Sequence, residues 1–334
     1  MSLAVTRPQP PQSPIENTVE ISVKGKWIRV PALDVAGQSI IVRGRWPRIA
    51  LIHDEIWLEN EVADPELYVK SLRQCGLPAL RADIFTFTQK LPATAPKYPY
   101  PVEWDSIAAI RVASFKQWWD SLPQESRKNV RRSQKRGVTV QLRMFDDQLI
   151  KDIMELNNDS KLRQGVLYSY YGRTFEETKK GYSAFLNRSE FICAYFGEEL
   201  IGLAKLVYRG DIAAILTFVP KVSHSDKRPA NALLAKAVEL CESKGLSHLT
   251  YGMYNYGNKG HSPLREFKVR NGFEEMLVPR YHIPLTTKGK LCMKLKLHRG
   301  FVGILPHSVI SFRAMARAKW YQLREELGGR NKPV

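Results

Sequence analysis

Cysteine is scarce in this chain, four among 334 residues, at positions 75, 193, 241 and 292. None forms a C-x-x-C pair or has a histidine at metal-ligand spacing, which excludes a zinc-ribbon type of site and a disulfide scaffold. Reduced, buried thiols in a cytoplasmic protein are the expectation. Long apolar runs are also missing: no segment approaches the roughly 20 residues of a membrane span. The longest uncharged candidate, GFVGILPHSVISF at 300–312, is short and contains Pro306. The amino terminus, MSLAVTRPQPPQSP, has no apolar stretch ahead of its prolines, so residues 1–18 read as a disordered lead-in and not as a signal peptide. Acidic residues are in the minority, 33 against 51 basic, for a net charge of +18. No carboxylate pair and no Cys/His constellation announces a nucleophile system.

The chain does have enough apolar residues for a core, 44% of the total. Its positive charge is unevenly spread. Residues 1–100 hold 12 basic and 10 acidic side chains, whereas residues 286–334 hold 11 and 2. Such a surplus favours polyanionic partners, whether nucleotide phosphates, nucleic acid or an anionic membrane.

Organisation follows from periodicity and punctuation. Residues 19–100 read as a small α/β unit: β-rich runs over 26–62, a helix at ADPELYVKSLRQCG, a strand at ADIFTFTQ, and a proline-rich candidate linker, KLPATAPKYPYP (90–101). Residues 101–285 form a second unit. A helix over 114–136, capped by Ser114 and broken at Pro123, leads into the strand VTVQLR. A helix over 146–165, the tyrosine-rich loop YSYYGR and another helix follow. EFICAYF, LIGLAKLVYR and IAAILTFVP are then three antiparallel strands joined by short turns. ALLAKAVELCESKG is a helix ending at Gly245, HLTYG a strand, PLREFKVRNG a short helix, and FEEMLVPRYHIPL a closing hairpin. Residues 286–334 are a basic, partly helical extension. Over 288–324 it mixes cations with apolar and aromatic residues, as a helix packed on the protein's own core or a segment lying on an anionic membrane would.

Two places carry chemistry. The meander delivers the chain to Lys227 and Arg228 just before a helix, with Asn231 as the expected cap. Free amides and the positive dipole end make such a start an anion site. In SRKNVRRSQKR (126–136), Arg127, Arg131 and Lys135 share one helix stripe at i, i+4 and i+8. The stripe is either a solvated face or a contact for a phosphate-bearing ligand; a nucleic-acid arm would lack the apolar residues and the strand that accompany it.

These segments, SFKQWWDSLPQESRKNVRRSQKRGVTV, KRPANALLAKAVELCESKGLSHLTYG and LREFKVRNGF, resemble the GNAT acyltransferases, in the branch similar to FemAB peptidyltransferases and BioF2-like acetyltransferases. The resemblance implies a GNAT-like mixed, mostly antiparallel sheet with helices on both faces, splayed between two strands where the acyl donor lies. It covers about residues 105–285. It would place the pyrophosphate of acetyl-CoA or another acyl-CoA on Lys227, Arg228, Ala230, Asn231 and Ala232. Ala230 and Pro229 depart from the family's Gln/Arg-x-x-Gly-x-Gly/Ala pattern, and FemAB relatives, which lack that glycine loop, take aminoacyl groups from tRNA.

By the same resemblance, Tyr254 or Tyr256 would protonate a leaving thiolate and Lys268, at the family's "FK" position, would meet a phosphate or the reacting carbonyl. Arg127, Arg131, Tyr168, Tyr170, Tyr171, Asn255, Asn258 and His261 would bind the acceptor, a small-molecule or cell-envelope precursor. No metal is implied. The expected activity is therefore acyl transfer from acyl-CoA to an amine or hydroxyl, in the cytoplasm or at the inner face of the membrane. Its rivals are aminoacyl-tRNA-dependent ligation and a non-catalytic nucleic-acid- or membrane-binding role.

Overall fold

Short β-branched runs in the first fifty residues pair into an antiparallel ladder: β1 (Ile15–Val23), β2 (Lys26–Val35), β3 (Gln38–Arg43) and β4 (Ile49–Ile52). The structure, a computed structural model, describes residues 15–23, 26–55, 60–163, 166–255 and 262–299. The chain next forms α1 (Pro65–Gln74), whose start is capped by Asp64 accepting from the Glu66 and Leu67 amides. It returns as β5 (Ile84–Thr88), parallel to β4.

The second part repeats that order on a larger scale. β6 (Val102–Arg111) opens it, followed by α2 (Phe115–Ser121) and α3 (Gln124–Lys135), separated at Pro123 as expected. The Ser114 hydroxyl caps α2 by accepting from the Gln117 amide at 3.0 Å. β7 (Val138–Arg143) and α4 (Asp147–Asn158) come next. α4 stops short of the expected Gly165, and the two-residue strands β8 (Leu162–Arg163) and β9 (Val166–Leu167) precede α5 (Phe175–Tyr182). The meander is present as β10 (Ser189–Phe196), β11 (Glu199–Arg209) and β12 (Ile212–Pro220). Through α6 (Pro229–Ser243) the chain reaches β13 (His248–Met253), parallel to β12. α7 (Pro263–Arg270), β14 (Glu274–Pro284) and α8 (Thr287–Lys294) follow.

Twelve strands form one sheet in the order β1-β2-β3-β4-β5-β14-β6-β13-β12-β11-β10-β7. Strand alternation sorts the helices. Ile192, Ala194, Ile201, Ala204 and Leu206 face α2, α3 and α6, whereas Phe191, Cys193, Tyr195 and Leu203 face α4 and α5.

β14 corrects the hairpin expected of FEEMLVPRYHIPL. It is one 11-residue strand, antiparallel to β6 on one side and to β5 on the other. Pro279 reads as a turn signal in sequence but sits mid-strand. Its carbonyl points to the β5 side, accepting from the Gln89 amide just past the last β5 pair, Thr88↔Arg280. The donor that proline lacks is thus missing only where that strand has ended. Nor does the proline-rich 90–101 segment hang free. The Lys97 amide donates to the Tyr281 hydroxyl at 2.7 Å, and the Tyr98 ring meets Tyr281 edge-on at 5.2 Å.

Candidate functional site

β12 and β13 pair only from Ile212↔His248 to Ala214↔Thr250, after which they diverge. On the other edge of β12, the register passes from Leu206↔Ile215 to Lys205↔Thr217, which leaves Leu216 as a bulge residue. Aromatic side chains occupy the opening: Phe218 lies 5.5 Å from Tyr251 and 5.7 Å from Phe267, and Tyr251 lies 5.9 Å from Phe273, centroid to centroid. α7 adds Lys268, which has no exposed surface. Its ammonium donates to the Met253 carbonyl at 2.7 Å and lies 4.6 Å from the Tyr251 ring centroid. Burial pushes its pKa down to about 8. A cation in so dry a position is suited to hydrogen-bond a carbonyl oxygen that gains negative charge.

The first half has the same splay in miniature. β4 and β5 pair only from Ile49↔Ile84 to Leu51↔Thr86. Here, however, the opening is crossed by Arg280, which bridges Glu55 at 3.2 Å and Asp105 at 2.8 Å and donates to the Thr86 hydroxyl. The Glu55 carboxylate also accepts from the Thr88 amide. An ionic network stands where the second half carries Lys268 and its aromatic surround.

The segment before α6 is tightly self-bonded. The Val222 and Ser223 amides donate to the Asp159 carboxylate, Lys221 to Ile201, Ser225 to Val222, Lys227 to His224 and Arg228 to Ser225. Arg228 itself is the N-cap, in the left-handed region at φ 59°, and makes no side-chain cap bond. The Asn231 and Ala232 amides both return to its carbonyl, and Pro229 has no N–H to offer. Asn231 is therefore not the cap expected of it. It lies inside the first turn, where its side-chain amide donates to Asn271 Oδ1 at 2.9 Å. Lys227 lies 3.9 Å over the Phe196 ring. Ala230 is half-buried and Ala232 buried.

Asn271 explains much of the tryptophan-bearing motif. Its carbonyl accepts from Trp118 Nε1 at 3.1 Å, and the Ser126 hydroxyl donates to the neighbouring Arg270 carbonyl at 2.5 Å. α2 and α3 thus clamp the turn between α7 and β14, and through Asn231 the start of α6.

The remaining candidates separate into three places. Arg131 lines a cavity of about 550 Å³ between α2, α3, β7 and α6, with its guanidinium 5.5 Å over Trp119 and Ala232 on the opposite wall. Arg127, half-buried on the same helix, does not line it. Tyr170 lines a cleft of about 360 Å³ on the other face of the sheet, between the β1–β4 ladder and α5, with Trp27, Arg43, Asp54, Lys205 and Thr217. Tyr168 donates to Asn157 Oδ1 at 3.0 Å and Tyr171 is exposed. At the end of β13, Tyr254 is buried with Arg265 over its ring at 5.3 Å, and Asn255 donates to Glu275 at 2.9 Å. Tyr256, Asn258 and His261 lie outside the described residues, as does most of 288–324.

Two residues were not singled out from the sequence. Tyr251 stands in the splay beside Lys268. Lys205, a lone charge inside LIGLAKLVY, is fully buried, donates to the Tyr182 carbonyl at 2.6 Å and to that of Ala184, and has its pKa pushed down by burial to about 8. That solitary lysine in an apolar strand was the available signal.

No protein-family model matches the chain, and no curated protein does. Solved structures do. FemX aligns over 85% of this chain and 91% of its own, with TM-score 0.57 at 12% identity. L-PGS from Bacillus licheniformis aligns over 80% and 85%, with TM-score 0.50 at 14% identity. The fold is GNAT-like, of the FemAB type.

Proposed function

We propose that this protein is a GNAT-fold transferase that moves an aminoacyl group from a tRNA ester to the amine of a small-molecule or cell-envelope precursor. The observation that carries the choice of donor is the segment before α6. Most amides that could cradle a pyrophosphate already donate within the protein, and Pro229 removes another. An aminoacyl ester needs no such cradle, and its polyanionic carrier suits a chain of net charge +18.

In this reading the acceptor nitrogen attacks the ester carbonyl in the splay between β12 and β13. A C–N bond forms, the C–O bond to the ribose breaks, and the amine proton ends on the ribose oxygen. Lys268 donates to the carbonyl oxygen as it gains charge. Tyr254 and Tyr256 are left as candidates for the proton that reaches the leaving oxygen. Arg131 serves the donor on the α6 face, with Arg127 beside it on α3. Tyr168, Tyr170, Tyr171, Asn255, Asn258 and His261 serve the acceptor. Residues 19–100, with the same strand order and a crossed splay, are read as a degenerate first copy of the fold ahead of a catalytic unit at 101–285. No helix among the described residues is long and apolar enough to cross a membrane. The basic stretch over 288–324 is assigned to polyanion contact at the inner face of the membrane.

Acyl-CoA is the second reading, supported by the cations Lys227 and Arg228 and the small Ala232 at the family's positions. Single-turnover assays with labelled charged tRNA, beside calorimetric titration with acetyl-CoA, decide between them. Transfer from charged tRNA, with binding that falls steeply with salt, is the expected result. Saturable acetyl-CoA binding that Arg228→Glu abolishes would replace it by the second reading. A folded protein that binds RNA or vesicles and transfers from neither donor would overturn both.

A further inference from the structure

At the seam between the two halves, Glu103 on β6, His282 on β14 and His298 in the turn after α8 come together. One ligand atom from each lies within 4.8 Å of the other two. The imidazoles of His282 and His298 are 4.9 Å apart, centroid to centroid. Both are more than nine-tenths buried, at 7% exposure for His282 and 5% for the His298 side chain. The Nδ1 atom of each makes no hydrogen bond, an unfavourable state for a buried polar atom. His298 Nε2 and a Glu103 oxygen are 2.8 Å apart, sharing a proton.

We propose that these three side chains form a binding site for a divalent transition metal of the zinc class. Two imidazoles and one carboxylate are a ligand set that Zn²⁺ accepts, with bonds of about 2.0–2.2 Å that place donors about 3.3 Å apart. The present separations, up to 4.8 Å, would have to close by side-chain rotation around the ion. The two imidazoles, each with an unpaired Nδ1, and the Glu103 carboxylate supply the lone pairs such an ion needs. The ion would take the place of the proton between His298 and Glu103. Arg299, donating to the same Glu103 oxygen at 2.9 Å, is the competing cation. The ligands come from three distant segments, so spacing along the chain carries no trace of them. The bound ion would pin the C-terminal extension to the strand pair that joins the halves.

The test is equilibrium dialysis of the full chain against Zn²⁺ with metal quantified per chain, and Co²⁺ absorption as the spectroscopic probe. One ion per chain is expected, with affinity falling by more than the roughly 10–100-fold that loss of an outer partner costs in His298→Ala, His282→Ala and Glu103→Gln, and rising in Arg299→Gln. Absence of saturable Zn²⁺ binding by the folded wild type overturns the proposal. So does binding that is unchanged in His298→Ala, a change in the turn after α8 and outside the sheet, which keeps the test valid if His282→Ala fails to fold.

Discussion

Lys268 is a lysine whose charge the fold makes expensive, and the cost has a pH signature. Its pKa is about 8 in the folded protein against 10.5 for an ordinary lysine. Below pH 8 both folded and unfolded chains hold the proton, and the folded state bears the burial penalty. Between 8 and 10.5 the folded state releases it first, so the unfolded state binds more protons and stability rises with pH. Lys205 and Lys90, each also pushed down by burial to about 8, add in the same direction. Urea midpoints should therefore rise from pH 7.5 to 9.5, and Lys268→Met should flatten the rise. A wild-type midpoint that falls over this window would contradict the burial of these ammonium groups. In transfer assays, Lys268→Met should lose about 100-fold or more, the usual cost of deleting one oxyanion donor, with its circular dichroism unchanged. At this scale the sequence was partly legible. The family resemblance pointed to Lys268, Tyr254 and Tyr256 and not to Tyr251 on β13, because which tyrosine stands in the splay depends on where β13 diverges from β12.

Elements were more legible than their couplings. Capping by Ser114, the break at Pro123 and the three-strand meander all follow from local chemistry, and the structure has them. What α2 and α3 are for does not follow locally, since their polar partners, the Asn271 and Arg270 carbonyls, lie some 150 residues away in sequence (|i−j| 153 and 144). Gly272 makes the coupling testable. It sits at φ +81°, and an added Cβ would lie 2.9 Å from Trp118 Nε1. Gly272→Ala should strain the turn and break the Trp118 bond to Asn271, destabilising by about 2–3 kcal/mol in chemical denaturation. Trp118→Phe removes the donor and part of a buried ring without touching the backbone, and should cost about 2–3 kcal/mol. The double variant should lose less than the sum, because the smaller ring makes room for the added Cβ, and additive losses would mean that the two positions are not coupled. Arg228 offers the reverse case. It adopts left-handed backbone with a side chain, so Arg228→Gly should raise stability by about 1 kcal/mol, while removing a cation from the start of α6.

For the whole molecule, the composition and proline pattern divide the chain near residue 100, and the strands do not. β14 belongs to the last part of the sequence yet pairs with β5 of the first, so neither sheet half is complete without it. Long-range pairing of this kind leaves no local periodicity, which is why a hairpin was expected in its place. Arg280, in the middle of β14, makes the consequence measurable. It neutralises Glu55, itself 5% exposed in the turn after β4, and Asp105 on β6. Arg280→Met would strand the buried Glu55 carboxylate and the half-buried Asp105, a loss of about 3–5 kcal/mol. Because those carboxylates flank the seam, the loss should be felt by both halves together. Calorimetry should give a single transition for the wild type and a single transition at lower temperature for Arg280→Met. Two separate transitions in the wild type would show that the halves unfold independently, and that β14 holds them side by side without making them one cooperative unit.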